Sequence, residues 1–549
     1  MDKGRPRVLV IGLDGATFDL LDSWIERGLM PNLKRLIGEG VRAPFRSVLP
    51  PVTAPAWTSF STGVRPGKHG VFDFRKRVPG QLCRQIVSAR DIRVPTIWSM
   101  LADAGLKAGI VNVPVTYPPS EKLSFAISDM LTPSTAVCFT QPANLYEELR
   151  PQLGEYVIDA PPKALKGFSV VDKFLDDMEH CTRQRARYAV HLMKTRPWDF
   201  CMTVFVSPDR LQHVLWDVLS GEFSVYPATP EIMRIKEKAE RFVSKLDGFI
   251  GDMLAVCPPE TDVFFVSDHG FGPMRSKVKL NQWLARQGLL TPSRRRGKLG
   301  RLISRADIFK LRHKLALRFL LRGKEETITI PFWRWINWAR TQAYAASTSE
   351  LGIYVNQQGR EAEGIVRPGA ETEQVIGRII EGLRKLPHPQ TGKPMVTDIW
   401  RREELFAGPH IEHAPDVVFM LEGNDCTCDL RLEGPLFEKP FWHTGTGTHR
   451  LDGIFIAHGP RINKGLRLER TEIIDVAPTV LHLFGLPIPD YMDGKVLNEI
   501  LTDEAKATAV RTVEMQTPSQ FSQEPQAETP YSEEEAREVE KRLQDLGYL

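Results

Sequence analysis

The sequence predicts an α/β fold built on a mainly parallel sheet. Short apolar runs recur at Val8–Leu13, Ala108–Val113, Phe200–Val206, Val263–Val266, Val417–Leu421 and Gly453–His458. Most are separated by stretches with apolar residues at helical spacing, the alternation of an α/β protein. Three of the runs end in acidic or histidine-bearing loops: Asp14, then Ser207-Pro208-Asp209, then Ser267-Asp268-His269. Parallel sheets gather ligands at the carboxyl ends of their strands, so three such endings predict one shared site at one edge of the sheet.

The first run closes in Gly12-Leu13-Asp14-Gly15, a buried strand ending in a turn. Leu20, Leu21, Trp24, Ile25, Leu33, Leu36 and Ile37 then predict helix across 18–40. A Pro-rich loop, 47–55, leads into a helix over 56–62. Residues 120–197 carry few strand signals and read as a helical insertion. Residues 293–340 read as a second insertion, with fourteen Lys/Arg against three Asp/Glu. It holds RRR at 294–296, an amphipathic pattern over Leu299–Leu321, and Trp333, Trp335 and Trp338. From Thr502 the composition shifts to Gln, Glu, Ser and Pro. Residues 516–529 read as a linker, and Ser532 with Glu535 behind it starts a helix. The expected organisation is one catalytic domain over 1–500, with insertions at about 120–197 and 293–340 forming a cap, then a linker and helix over 501–549.

Composition bounds the functional classes. The 549 residues carry a net charge of only +4, which does not point to nucleic acid as a partner. No stretch approaches the length of a membrane-spanning apolar helix. The apolar run at the N-terminus is too short for a signal segment and Asp14 interrupts it, so a cytoplasmic location is expected. The seven cysteines are scattered without a C-x-x-C pair, as for reduced thiols. The basic stretch 293–340 is ordinarily a solvated face. Its tryptophans also suit peripheral contact with an anionic membrane surface.

The chemistry centres on Thr53, in PPVTAPAWTSFSTG. A helix starting at about Ala54–Pro55 makes Thr53 an N-cap residue, and the same helix terminus offers N–H groups and positive potential to a phosphate. A threonine hydroxyl needs a base or a metal to become a nucleophile. The chain offers metal ligands: Asp14, the adjacent Asp268 and His269, and Asp209 with His213 four residues on, on one face of a helix. His443 and His449 follow in a Gly/Thr-rich loop, and His458 reads as structural. Mixed carboxylate and imidazole ligation suits Zn2+, with Mn2+ as the alternative. Two divalent ions would balance three carboxylates and a threonine alkoxide.

In this order the motifs resemble a family. GLDG at 12–15, T-x-P-x-W at 53–57 running on to STGVRPGKHGVFDF, SPDRLQH at 207–213, SDHGFG at 267–272 and GTHRLDGIFIAHGP at 447–460 are similar to the alkaline phosphatase superfamily. Within it, they resemble the branch of type I phosphodiesterases and nucleotide pyrophosphatases, including bacterial and archaeal predicted phosphohydrolases or phosphomutases. The resemblance covers nearly all of 7–500 outside the two insertions, and TEIIDVAPTVLHLFGLPIPDYMDGKVL is similar to the end of that fold. It implies an alkaline-phosphatase-like core and a hydrolase of small phosphoesters with two divalent ions. One ion would be held by Asp14, Thr53, Asp268 and His269. The other would be held by Asp209, His213 and His449, with His443 as the alternative last ligand. A phosphomutase would use the same site.

Two departures shape the expectation. Sulfatases of the superfamily need Cys or Ser in C/S-x-P-x-R, and Thr53-Ala54-Pro55-Ala56-Trp57 has neither that residue nor the Arg. The nucleotide pyrophosphatases place a phosphate-binding asparagine just after an HG motif. Here the motif runs His69-Gly70-Val71-Phe72-Asp73-Phe74, and Phe74 takes the asparagine's place.

Overall fold

Strand β1 (Arg7–Leu13) lies inside the central sheet and is buried from Val8 to Leu13. Its RVLVIGL sequence fits that place, because a parallel strand covered on both faces has no need of polar alternation. The computed structural model describes residues 6–135, 137–160, 168–293, 332–389, 391–440, 445–507, 510–514 and 529–548. The RRR run, the amphipathic pattern over Leu299–Leu321, His443 and nearly all of the expected linker 516–529 lie outside the described residues.

The other strands that frame the site are β2 (Val41–Arg46), β3 (Ala108–Val111), β4 (Phe125–Ile127), β5 (Thr140–Gln141), β6 (Phe200–Phe205) and β7 (Thr261–Val266). Then come β8 (Gly270–Pro273), β9 (Gly447–Arg450), β10 (Asp452–His458) and the short edge strands β11 (Leu466–Arg467) and β12 (Thr471–Glu472). The central sheet runs β11-β2-β10-β7-β1-β6-β3-β4-β5, with β12 also on β2. Its middle, β7-β1-β6-β3-β4, is parallel. β10 runs antiparallel to both its neighbours, and so does β5 at the far edge. β8 and β9 form a separate antiparallel pair beside the sheet.

Helices cover both faces. Leu9, Ile11 and Leu13 enter one apolar cluster, while Val8 and Val10 enter the other. Alternate residues of a strand point to opposite faces, so β1 alone divides the core into two layers. The first layer holds α1 (Phe18–Glu26), α2 (Pro31–Glu39), α4 (Phe168–Thr195), α5 (Ser207–Leu219), α6 (Pro230–Leu254) and α7 (Glu533–Asp545). The second holds α3 (Thr53–Thr62). Helix was expected across 18–40 without a break. Two helices form instead, because Gly28 turns the chain at φ +75° and Pro31 opens a new helix. Asp247 of α6 accepts from the N–H groups of Asn32 and Leu33, so α2 is capped from across the layer.

The segment 120–197, read as a helical insertion, contains α4 but also places β4 and β5 at the edge of the central sheet. The run Val417–Leu421 joins neither the central sheet nor a parallel pair. It pairs antiparallel in a small sheet with Gly352–Val355 and Val396–Arg401, over its own apolar cluster. Trp338 is buried in that cluster, edge-on to Tyr344, while Trp333 and Trp335 are half-buried. No helix among the described residues is long and apolar enough to cross a membrane.

Candidate metal centre

The carboxyl ends of β1, β6 and β7 converge, and each delivers its acidic loop to the same place. Asp14 follows β1 directly, Asp209 lies in the first turn of α5 after β6, and Asp268-His269 joins β7 to β8. The β8–β9 ladder sets Phe271 opposite His449, which brings the late histidine alongside. Helix α3 completes the group with Thr53. Asp14, Thr53, Asp209, Asp268 and His269 are all within 1 % of full burial.

Gly15 explains why GLDG needs its last glycine. It sits at φ +67°, and a Cβ there would lie 3.2 Å from the Asp209 backbone. Gln212 ties this turn to α5 by donating to the Gly15 carbonyl at 2.8 Å.

Thr53 is the first residue of α3, and the N-cap position falls to Val52. The N-cap role expected for Thr53 is therefore not the one it has. Its hydroxyl lies instead 3.5 Å from the Tyr548 hydroxyl.

Each acidic and histidine side chain is held on one atom and open on the other. Asp14 Oδ2 accepts from Trp57 Nε1 at 3.0 Å, and Asp268 Oδ1 accepts from the Gly15 N–H at 3.2 Å. Asp209 Oδ2 accepts from Arg210 at 2.6 Å and from Tyr548 at 2.9 Å. The Nδ1 atoms of His213, His269 and His449 face the carbonyls of Gly447, Gly270 and Pro51 at 3.3, 3.0 and 2.8 Å. A carbonyl only accepts, so each Nδ1 carries a proton, and in the neutral ring the lone pair is then on Nε2. Asp14 Oδ1, Asp209 Oδ1, Asp268 Oδ2 and His269 Nε2 are buried without a hydrogen-bond partner. Four such atoms side by side would be costly unless something else satisfies them.

Their geometry suits cations. His213 Nε2 and His449 Nε2 each lie 3.3 Å from Asp209 Oδ1 and 3.0 Å from each other. Tetrahedral Zn2+ bonds of 2.0–2.1 Å put neighbouring ligand atoms roughly 3.3 Å apart. The second group is Asp14, Asp268 and His269, with His269 Nε2 3.8 Å from Asp14 Oδ1 and 3.3 Å from Asp268 Oδ2. Burial pushes the Asp14 carboxyl well above the usual range, helped by Asp268 and Asp209. Burial and the Asp209 charge push Asp268 up to about 8. Burial acts the same way on Asp209, but His213, His449 and Arg210 outweigh it and hold that carboxyl well below its ordinary value. Burial and His449 drive the His269 imidazole well down. Asp14 and Asp268, which resist ionisation together, and the His213 and His269 imidazoles, which resist protonation, belong to a donor set that fits divalent cations.

The structure brings together every expected site residue: Asp14, Thr53, Asp209, His213, Asp268, His269 and His449. His458 lies apart on β10, 3.4 Å from Glu39. Trp57, Arg210 and Tyr548 were not expected in the site. The first two sit inside the T-x-P-x-W and SPDRLQH motifs, where the pattern flagged them without giving a role. Arg210 is buried between Asp209 and Asp159, whose Oδ2 it reaches at 3.0 Å.

The sequence matches the model of the type I phosphodiesterase / nucleotide pyrophosphatase family over residues 8–425. The chain belongs to this family, within the alkaline phosphatase superfamily, and is a phosphoric ester hydrolase of that class. Among solved structures it is similar to human ectonucleotide pyrophosphatase/phosphodiesterase 5, with 14% identity and a TM-score of 0.47, over 90% of this chain and 100% of that one. An inactive variant of the murine counterpart in complex with AMP gives 13% identity and 0.47, over 88% and 96%. Phosphonoacetate hydrolase from Sinorhizobium meliloti, in complex with phosphonoacetate, gives 17% and 0.49, over 87% and 97%. No curated protein sequence matches the chain closely enough to count as a relative.

Proposed function

We propose that the protein hydrolyses small-molecule phosphoesters with Thr53 as nucleophile and two divalent ions, Zn2+ with Mn2+ as the alternative. The observation that carries this reading is the set of buried, unpartnered donor atoms on Asp14, Asp209, Asp268 and His269, to which the Thr53 hydroxyl is linked through Tyr548 and Asp209. Asp209, His213 and His449 would hold one ion, and Asp14, Asp268 and His269, joined by Thr53, the other. When bound, such ions lower the pKa of a hydroxyl or water and neutralise charge developing on phosphoryl oxygens.

The chain's own residues do the rest. Thr53 stands at the start of α3, where the first N–H groups have no intrahelical acceptor and the helix end carries positive potential. An anionic phosphoryl group is drawn there and set against the Thr53 hydroxyl. Attack by Thr53 Oγ forms an O–P bond, the ester O–P bond breaks, and the alcohol leaves with a proton. Water then cleaves the O–P bond to Thr53, freeing the hydroxyl and releasing phosphate from a monoester or a phosphomonoester from a diester. Trp57, the Gly15 N–H, and Arg210 with Tyr548 fix the three carboxylates, so the site is organised before substrate arrives.

The test is Thr53→Ala assayed on a panel of monoesters and diesters after Zn2+ or Mn2+ loading. Turnover should fall by roughly a thousandfold or more with the fold intact. Near-wild-type hydrolysis by the variant would sink the assignment. Product analysis on the same panel separates hydrolysis from return of the phosphoryl group to another hydroxyl of the substrate.

A further inference from the structure

Tyr548 reaches the candidate centre from a segment well beyond residues 8–425, the span that matches the family model. We propose that it is a positioning residue for Asp209: with Arg210 it fixes Oδ2, so that Oδ1 faces His213 and His449. This inference rests on the two-ion reading above.

The direction of the hydrogen bonds follows from what each group can do. Arg210 only donates, so its Nη1 donates to the Tyr548 oxygen at 3.0 Å. The single phenolic proton is then free to go to Asp209 Oδ2, 2.9 Å away. Arg210 donates to the same Oδ2 and is itself held by Asp159. One carboxylate oxygen thus takes two donors from the protein, while the other is buried with none. A carboxylate pinned in this way cannot rotate to present the wrong oxygen. Fixing a ligand through a second hydrogen-bonded partner is how proteins orient metal sites.

The segment that carries Tyr548 is itself firmly placed. Ser532 and Glu535 form a capping box at the start of α7. Tyr531 donates to the Leu131 carbonyl at 3.1 Å, and Arg542 donates to the carbonyls of Met130 and Thr132 at 2.6 Å each. Val539, Leu543 and Leu546 bury themselves in the first core layer. Gly547, at φ +86°, reverses the chain, and the Tyr548 N–H closes the turn on the Leu543 carbonyl. The ring then packs on Phe74, with centroids 4.7 Å apart. The residue that replaces the family's asparagine is therefore the platform for the tyrosine.

The experiment is Tyr548→Phe in the full chain, which keeps the ring on Phe74 and removes only the hydroxyl. Zn2+ affinity is read by chelator-buffered titration, with kcat, KM and melting temperature measured alongside. Affinity for one of the two Zn2+ equivalents should weaken about tenfold or more. In parallel kcat should fall while KM and melting temperature hold. Unchanged affinity for both equivalents overturns the proposal. So does a rise in kcat/KM, which would mark Tyr548 as a plug over Thr53. A wild-type protein that binds Zn2+ yet hydrolyses no phosphoester counts against the proposed function, and the titration still decides on Tyr548.

Discussion

The imidazole of His449 stacks on that of His269, with centroids 3.7 Å apart and planes 19° from parallel. One ring belongs to each donor group, so the two groups share a wall and neither can shift alone. His449→Ala should remove one ion and disturb the other. Metal analysis should show loss of at least one equivalent, and kcat/KM should fall by roughly a hundredfold. His443→Ala should keep both equivalents. The reverse outcome would give the last ligand position to His443.

Trp57 acts on Asp14 as an indole donor that a phenyl ring cannot replace. Trp57→Phe leaves Oδ2 buried without its partner and frees the carboxylate to turn. Zn2+ affinity at the Asp14 group should drop about tenfold. Unaltered affinity would show that the Gly15 turn alone fixes Asp14.

Ion removal should make stability depend on pH in a defined direction. In the ion-free protein, Asp268 titrates near 8 and Asp14 is also raised. Both bind protons in the folded chain at pH values where the unfolded chain does not. Folded stability therefore falls as pH rises, up to the folded pKa. Between pH 7 and pH 8 the melting temperature of the chelated protein should fall further than that of the Zn2+-loaded protein, in which only groups outside the centre, such as Asp129 and Glu350, contribute. Parallel melting curves for the two forms would contradict the cation assignment.

His69, in the HG motif, gives a dependence of opposite sign. Its Nδ1 accepts from the Val71 N–H, so its Nε2 proton points to Ser59 Oγ at 2.8 Å, under α3. Burial drives this imidazole down to about 3. The unfolded chain binds a proton near 6.5 that the folded chain refuses, so stability present above 6.5 is lost as pH falls toward 3. At pH 5 the loss is about 2 kcal/mol. Denaturation of wild type and His69→Gln at pH 7 and pH 5 should show that difference only in the wild type.

What the sequence made legible was local. Asp14, Asp209, Asp268 and His269 each end or follow an apolar run, so strand ends and site residues could be read together. Thr53 was placed one residue off, because Val52 has no polar side chain to signal that it holds the N-cap. The break at Gly28 was hidden by apolar residues that keep helical spacing across it. β4 and β5 are too short for any periodicity to show. The membership of Val417–Leu421 in the smaller sheet depends on partners far along the chain. Tyr548 had no signal at all: its helix reads as an ordinary amphipathic helix, and its contact with Asp209 spans a sequence separation of 339 residues.

The placement of β1 bears on how the chain is made. It leaves the ribosome before either of its neighbours, β6 and β7, around which the sheet is ordered. At about 5–20 residues per second, a six-residue stretch of buried apolar strand waits on the order of ten seconds or more for its first partner. During that wait both edges of β1 can pair with other nascent chains. Extra chaperone capacity that covers β1 during that wait should therefore raise the soluble yield more than any change at the metal centre.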